Sequence, residues 1–406
     1  MESKRTTWII VSVLILAVAG VFLFGLHRKS GGKDDLVIPD GVQFQPDVTK
    51  PVPTGEPVST PTPEILPTPT PMFLREYENV SVEVDNIELY DTPKAGQYNY
   101  DTVYYLRSEP GRTAERIIVM PKKIDVQVNS ICTNLFHEPW YCITFNVNDK
   151  EYTGFVQWST VAVEDVVHTP DPEADGSLHL AEPIENPTET LGADNDGDGI
   201  YNVVLDPGHG GRDGGAYYYS TNEKDIDFKV ANYCKAYLDE HYENVVVSLT
   251  RTEDKLFDPV DTNDDLEYRV RFAMEKNADV MVSMHFNTGS KKLSGSLALV
   301  PKRPGIFEKD VLLASYIVEG LKTLGIENEG IKWKKSSIMY HLDDTPMDGY
   351  LVLRLTAEVG IPSCIIEHCY MDNKNDRQFW NTEEKLQQIG ESDAVAIARF
   401  LGLKEK

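Results

Sequence analysis

The feature that most constrains the fold is an alternation of apolar strands and amphipathic helices that begins at Tyr201. Runs such as VVVSLT and DVMVSMHF alternate with helical patterns near residues 222–241, 263–277 and 308–324, and further helices extend to about Leu403. Strands that are apolar on both faces and separated by helices indicate a sheet covered on both sides. We therefore predict an α/β domain over residues 200–406, with a mixed, mostly parallel sheet and helices on both faces.

A second compact region is predicted over residues 73–166. Its short β-rich runs are punctuated by Pro, Gly and Asn-Asp, which is typical of a small all-β barrel. The order of YLRSEPG at 105–111, Trp140 and GFV at 154–156 resembles a bacterial SH3-like domain. That resemblance implies either contact with cell-wall peptides or a role as a spacer, and it assigns no binding residues.

Five cysteines are too few for a disulfide scaffold, and their odd number leaves at least one thiol unpaired within the chain. Cys132 and Cys142 could face each other across a hairpin as a disulfide, or remain two buried thiols. Both alternatives stay open. The formal net charge of −26 argues against a phosphate-binding face and therefore against nucleic acid as a partner.

Two segments have the composition of linkers. Residues 28–72 include ten prolines, many beside threonine, which favours an extended, semi-rigid spacer over a docking site for a proline-binding module. Residues 167–199 are acidic and contain no Lys or Arg. This second linker ends in DNDGDG at 194–199, which begins like a calcium loop. The Glu needed at loop position 12 is replaced by Leu205, so we favour a polar turn.

Residues 1–27 contain an uncharged apolar run from Thr6 to Leu26. About 20 apolar residues span a bilayer, whereas a cleaved secretory signal needs an apolar core of only about 7–15. We therefore favour an uncleaved, single-pass signal-anchor helix. Cleavage after the small residues Ala17-Val18-Ala19 is the alternative, and it would release a secreted protein.

Three metal-ligand side chains follow predicted strands or loops of the last domain. His209 lies in the glycine-rich segment after the first strand, and His285 follows the apolar strand predicted over residues 279–284. Glu223 lies between Ser220 and the next predicted helix. Two His and one Glu with an open position form a common catalytic zinc set. Each His could instead be an ordinary satisfied imidazole, and Glu223 could complete a capping box with Ser220.

Glu367 ends the apolar strand PSCIIE, where a carboxylate would face a site at the carboxyl edge of the sheet. A hydrolytic zinc site needs a group that takes a proton from water and returns it to the leaving nitrogen. Glu367 could serve as that group. The simpler alternative is a Glu that turns into solvent at the end of its strand.

Several motifs together resemble the zinc-dependent N-acetylmuramoyl-L-alanine amidases of the type 3 amidase family. They run in order over about 200 residues: VLDPGHGG at 204–211, Asp213, Gly215-Ala216, Glu223-Lys224, LTRT at 249–252, Arg271, Asn277-Ala278-Asp279, SMHFN at 283–287, Ile366-Glu367 and Asn373. Two departures bear on the shape of the cleft. Cys369-Tyr370 stand where the family has Gly-Phe, and residues 341–350 resemble an insertion.

The resemblance implies Zn²⁺ on His209, Glu223 and His285, with Glu367 as the general acid and base. It also implies hydrolysis of the amide that joins N-acetylmuramic acid to L-alanine of the stem peptide in peptidoglycan. Because peptidoglycan lies outside the membrane, the anchor would place residues 28–406 on the cell-wall side. The alternatives are a non-catalytic wall-binding or activating protein that keeps the fold, and a zinc hydrolase for another amide. All four residues are present, which favours the enzyme.

Overall fold

The computed structural model describes residues 88–99, 104–163, 171–192, 194–258 and 261–406. The predicted anchor over residues 1–27 and the Pro/Thr-rich linker over residues 28–72 lie outside these ranges. Within them, no helix combines the length and the apolar character that crossing a bilayer would require.

Residues 88–99 and 104–163 form an antiparallel sheet of seven strands: β1 (Glu88–Asn99), β2 (Tyr105–Arg107), β3 (Arg116–Val119), β4 (Lys123–Thr133), β5 (Pro139–Val147), β6 (Lys150–Gln157) and β7 (Val161–Val163). Their order in the sheet is β3-β2-β6-β5-β4-β1-β7. Its core includes Leu106, Val128, Ile143 and Val156. We call this region the barrel domain, after the all-β barrel that its sequence predicts. Its likeness to an SH3-like domain stays a prediction.

The two cysteines of the barrel domain lie on neighbouring strands but are not opposite each other. Cys132 pairs in register with Trp140, and Cys142 pairs with Ser130. All five cysteines of the chain lie in the described ranges, and all are free thiols. In the structure, Cys132 and Cys142 are therefore two separate thiols and do not form a disulfide.

The α/β domain is built on a second seven-stranded sheet. Its strands are β8 (His179–Ala181), β9 (Tyr201–Pro207), β12 (Val245–Leu249), β13 (Val280–Asn287), β14 (Ser296–Leu299), β15 (Asn328–Trp333) and β18 (Ser363–Tyr370). Their order in the sheet is β12-β9-β13-β18-β14-β15-β8. Two small hairpins lie outside this sheet: β10 (Tyr217–Tyr218) with β11 (Thr221–Asn222), and β16 (Lys335–Tyr340) with β17 (Pro346–Asp348). Four of the six strand pairs in the sheet are parallel, and the pairs β14–β18 and β15–β8 are antiparallel. The prediction of a mixed, mostly parallel sheet is confirmed.

Five helices cover the two faces of this sheet: α1 (Glu223–His241), α2 (Thr262–Glu275), α3 (Phe307–Thr323), α4 (Leu351–Glu358) and α5 (Glu383–Leu401). Helices α1, α3 and α5 pack over one core, and α2 and α4 pack over the other. Along β9, Val203 and Leu205 belong to the first core and Val204 to the second. Burial on both faces explains why these strands are continuously apolar in the sequence.

Part of the predicted acidic linker is docked on the α/β domain. Strand β8 pairs with β15 and forms one edge of the sheet, and the imidazole of His179 stacks on Trp333 with ring centroids 4.3 Å apart. Farther along, Asp194 and Asp198 accept hydrogen bonds from the backbone N–H groups of Gly199 and Ile200. These bonds belong to a polar turn within the loop that begins like a calcium site.

The barrel domain and the α/β domain share a buried interface. Phe136, between β4 and β5, is fully buried in the core formed by α2 and α4. Beside it, the carboxylate of Glu138 accepts from Arg112 of the barrel domain (2.9 Å) and from Arg354 of α4 (2.8 Å). Tyr340, which ends β16 next to the predicted insertion 341–350, packs in the barrel core. The β16–β17 hairpin, which overlaps the predicted insertion, is therefore part of this interface.

Glu138 makes the stability of this interface dependent on pH. Burial opposes ionisation, but Arg112 and Arg354 outweigh it and lower the pKa of Glu138 from 4.5 to about 2. A lowered carboxyl pKa stabilises the folded state above the unfolded pKa, and the contribution is lost as pH falls toward the folded pKa. We expect Glu138 to contribute about 3 kcal/mol at neutral pH, which disappears between pH 4.5 and about pH 2.

Denaturant unfolding of residues 70–406, which form one compact unit, checks this contribution between pH 6 and pH 3. Glu138→Gln should be less stable at pH 6 and should lose less stability on acidification than the wild type. Glu151→Gln, at an exposed position of β6, serves as the matched control and should follow the wild-type curve. Parallel curves for Glu138→Gln and the wild type would show that Glu138 is not the source of the pH dependence.

Candidate active site

The candidate residues meet at the carboxyl edge of the parallel strands. His209 follows the end of β9, while His285 and Glu367 are directly paired in register on β13 and β18. Neighbouring residues in register on parallel strands point to the same face of a sheet. The topology therefore places the His285 and Glu367 side chains next to each other.

The three predicted metal ligands converge on one oxygen atom. The Nε2 atom of His209 and the Nδ1 atom of His285 each lie 3.1 Å from Oε1 of Glu223. The two imidazole rings are 4.9 Å apart and nearly perpendicular, at 78°. Two imidazole nitrogens and a carboxylate oxygen are thus directed at one point. This donor set suits zinc, which takes nitrogen and oxygen ligands from His and Glu.

Glu223 does not form the capping box that its sequence position allows. Helix α1 begins at Glu223 itself, after the N-cap residue Asn222, and Ser220 lies outside the helix with a φ of 65°. The Oε2 atom of Glu223 instead accepts from the backbone N–H of Ala216 at 2.8 Å. This bond fixes the carboxylate so that Oε1 faces the two imidazoles.

Two glycines make room for the ligand side chains. A Cβ atom on Gly208 would overlap the imidazole ring of His285. Gly215 has a φ of 63°, and a Cβ there would lie 2.7 Å from both Oε2 of Glu223 and Cδ2 of His209. The glycine-rich sequence is therefore needed so that the backbone can pass close to all three candidate ligands.

We call residues 208–216 the metal loop. Within it, Oδ2 of Asp213 lies 2.9 Å from Nδ1 of His209, which leaves Nε2 directed at Glu223. Burial lowers the pKa of His209, but the adjacent carboxylates of Asp213 and Glu223 outweigh it and raise this pKa well above 6.5. The surrounding carboxylates thus favour positive charge at this point, as a site for a cation should.

The backbone of the metal loop is held by two arginines that the sequence analysis did not identify as supporting residues. Arg269 of α2 donates from Nη2 to the carbonyl of His209 at 2.7 Å and from Nη1 to Asp206 at 2.7 Å. Arg251 donates from Nη2 to the carbonyl of Gly208 at 2.9 Å. His209 has a φ of 59°, which is strained for a residue with a Cβ, so these bonds stabilise a conformation that needs support.

Asp227 is a further residue that sequence reasoning missed. It is fully buried, and neither carboxylate oxygen has a hydrogen-bond partner among the described residues. Burial and the negative charge of Glu223 raise the pKa of Asp227 well above 3.8. One oxygen of Asp227 lies within 4.8 Å of the ligand atoms of His209, Glu223 and His285. The signal for it was its i+4 spacing from Glu223, which places both residues on one face of α1.

Glu367 lies beside these donors with an unused oxygen. Its Oε2 atom is buried and has no hydrogen-bond partner in the described part of the chain. Burial and the negative charge of Glu223 raise the pKa of Glu367 to about 8. A carboxyl group with a pKa near neutrality can both accept and donate a proton. The site thus places donors that suit a metal beside a carboxyl group that can exchange a proton, which is the composition of a metal-dependent hydrolase.

Comparison with known proteins identifies the family. Residues 203–399, which include all four predicted site residues, match the family described as N-acetylmuramoyl-L-alanine amidase. A sporulation-specific N-acetylmuramoyl-L-alanine amidase of Bacillus subtilis (strain 168) is 36% identical over 204 residues, which cover 50% of this chain and 69% of the relative. A germination-specific N-acetylmuramoyl-L-alanine amidase of the same strain is 31% identical over 169 residues, or 40% of this chain and 67% of the relative.

An endolysin of Bacillus phage SPP1 is 30% identical over 207 residues, which cover 50% of this chain and 67% of the endolysin. The chain belongs to the N-acetylmuramoyl-L-alanine amidase family. The family predicted from the motifs of residues 204–373 is confirmed. The zinc, the roles of the four residues and the SH3-like domain remain predictions.

Proposed function

We propose that this protein is a zinc-dependent peptidoglycan hydrolase. It cleaves the amide bond between the lactyl group of N-acetylmuramic acid and L-alanine of the stem peptide. The observation that carries the proposal is the convergence of His209, Glu223 and His285 beside Glu367, within the segment that belongs to the amidase family.

His209, Glu223 and His285 would hold the zinc. When bound, zinc supplies Lewis acidity that lowers the pKa of a coordinated water toward about 7 and polarises the scissile carbonyl. Three protein ligands leave a position open for water or substrate, as catalytic sites require. Asp213 would fix the ring orientation of His209 from behind, which is the usual role of a carboxylate beside a metal-bound imidazole.

Glu367 would carry the proton. Its unpartnered oxygen accepts a proton from the attacking water and delivers it to the amine nitrogen as the C–N bond breaks, so that the carboxylate is regenerated. The pKa of about 8 describes the site without a cation. A positive charge beside Glu367 would lower this pKa and favour the ionised form that starts the reaction.

The remaining domains are proposed to place this chemistry at the cell wall. Residues 1–27 would anchor the chain in the membrane, or be cleaved to release it, and residues 28–406 would lie on the cell-wall side. The Pro/Thr-rich linker over residues 28–72 would hold the folded part away from the lipid. The barrel domain, as an SH3-like domain, would contact cell-wall peptides.

Digestion of purified peptidoglycan with residues 70–406, followed by mass spectrometry, tests the proposal. We expect free stem peptides that begin with L-alanine and glycan strands that keep the lactyl group, and we expect chelation of zinc to abolish both. Products cut within the glycan or within the stem peptide would contradict the assigned bond. Binding to peptidoglycan without any cleavage would favour the alternative, a wall-binding or activating protein that retains the fold.

A further inference from the structure

We propose that the barrel domain positions the metal loop of the α/β domain through helix α2, and that it is not only a spacer. This inference rests on the proposed function, because the metal loop matters through the zinc that it would hold. It assigns a positioning role to Arg112 of the barrel domain and to Arg269 of α2.

One face of α2 is bound by the barrel domain. Glu267 accepts from the backbone N–H of Arg112 at 3.1 Å and from the hydroxyl of Thr113 at 2.9 Å. Asp264, one turn earlier, accepts from Arg107 and from Arg116, the latter at 2.7 Å. Both carboxylates are at most 2% exposed. Charged side chains buried to this degree hold their partners in a defined geometry, because losing one partner leaves a buried charge uncompensated.

The neighbouring face of α2 holds the metal loop. Arg269 is fixed by Asp265 at 2.7 Å, one helical turn before it on α2. From there it reaches Asp206, at the end of β9, and the carbonyl of His209, each at 2.7 Å. The guanidinium group therefore connects the axis of α2 to the backbone of a candidate zinc ligand. A shift of α2 would move the donor on which the strained backbone of His209 depends.

The barrel domain is also bound to α4, which packs against α2. Arg112 forms a bidentate ion pair with Glu138 and also lies 3.7 Å from Glu267. Glu138 accepts a further hydrogen bond from Arg354 of α4. Phe136 is buried in one core together with Val270 of α2 and Leu353 of α4. The barrel domain thus contacts α2 both through buried ion pairs and through apolar packing. Fixing α2 in this way fixes Arg269, and through it the metal loop.

The full-length chain in detergent, with a soluble muropeptide as substrate, tests this coupling without any contribution from wall binding. Zinc affinity is measured by competition with a chelator, and kcat and KM are measured separately. Arg269→Lys should weaken zinc binding by about 10–100-fold, as outer-shell changes typically do. Arg112→Gln should weaken it by about 2–30-fold and lower kcat with little change in KM.

Because both residues act along one path, the double variant should weaken zinc binding by less than the product of the two single effects. Thr113→Val removes only a hydrogen bond to Glu267 and should shift zinc affinity in the same direction by a smaller factor. Its zinc affinity tests the coupling if Arg112→Gln folds poorly. Lys150→Gln, at an exposed end of β6 in the same barrel domain, is the matched control and should leave zinc affinity and kcat unchanged.

The inference would be overturned if Arg112→Gln and Thr113→Val melt at a lower temperature but keep wild-type zinc affinity and kcat. The barrel domain would then add stability without positioning the metal loop. Independent, multiplying effects of Arg112→Gln and Arg269→Lys would overturn the path through α2. A wild-type chain that binds zinc but cleaves no muropeptide would refute the proposed function alone, since zinc affinity still tests the coupling. A wild-type chain that binds no zinc would refute both.

Discussion

Replacing Glu367 with glutamine is expected to slow amide cleavage by about 10²–10⁴-fold while leaving the zinc content unchanged. Glutamine keeps the size and much of the hydrogen-bonding capacity of the side chain but cannot accept the proton. Because Glu367 would not be a ligand, the donors His209, Glu223 and His285 remain in place. The cleavage rate is measured on a soluble muropeptide, and the zinc content is measured by metal analysis of the same samples.

Glu327→Gln is the matched control, since Glu327 is an exposed carboxylate of the same domain just before β15. This variant should cleave at the wild-type rate. If Glu367→Gln loses its zinc, Glu367 belongs to the coordination shell and the roles must be reassigned. If it keeps its zinc and cleaves normally, another group transfers the proton.

Replacing His209 with alanine is expected to remove most of the zinc from a chain that otherwise binds one ion. Loss of a ligand should exceed the 10–100-fold weakening that is typical of outer-shell changes, so we expect affinity to fall by more than about 100-fold. Glu223→Gln should behave in the same way, because the structure directs its carboxylate at both imidazoles. Metal analysis after dialysis, followed by competition with a chelator, measures the loss.

His241→Ala serves as the control for His209→Ala, since His241 lies at the end of α1 and bonds the carbonyl of Tyr237. It should retain full zinc. Full occupancy in His209→Ala would refute the assignment of His209 as a ligand. A Glu223→Gln variant that keeps zinc and is merely less stable to heat would show that this carboxylate acts structurally.

The sequence predicted those elements whose residues form a recognisable pattern within a short stretch of the chain. Strands such as β9 and β13 are buried on both faces, so their apolar runs identified the sheet, and the motif around His209 identified the site. Strand β8 was missed because three residues in an acidic segment carry no periodic pattern. It forms only because the edge of β15 offers hydrogen bonds to it.

The interface and the supporting arginines could not be predicted, because their partners are distant in the sequence. Arg112 and Glu267 are 155 residues apart, and each alone is typical of a solvated charge on a loop or helix. Only the fold shows that such charges are buried and paired. Asp227 was missed for a related reason, since an Asp in the first turns of a helix ordinarily interacts with the helix dipole in solvent.

The contact between Glu138 and Arg354 also has a consequence for how the chain reaches its final form. The two residues are 216 positions apart, and the barrel domain is synthesised first. At about 5–20 residues per second, Arg354 follows Glu138 by about 10–40 s. During that interval the core that takes up Phe136 lacks α4, and Glu138 lacks one of its two arginine partners. The nascent chain therefore passes through a stage that is open to misassembly or chaperone binding, and this stage ends only when α4 has been made.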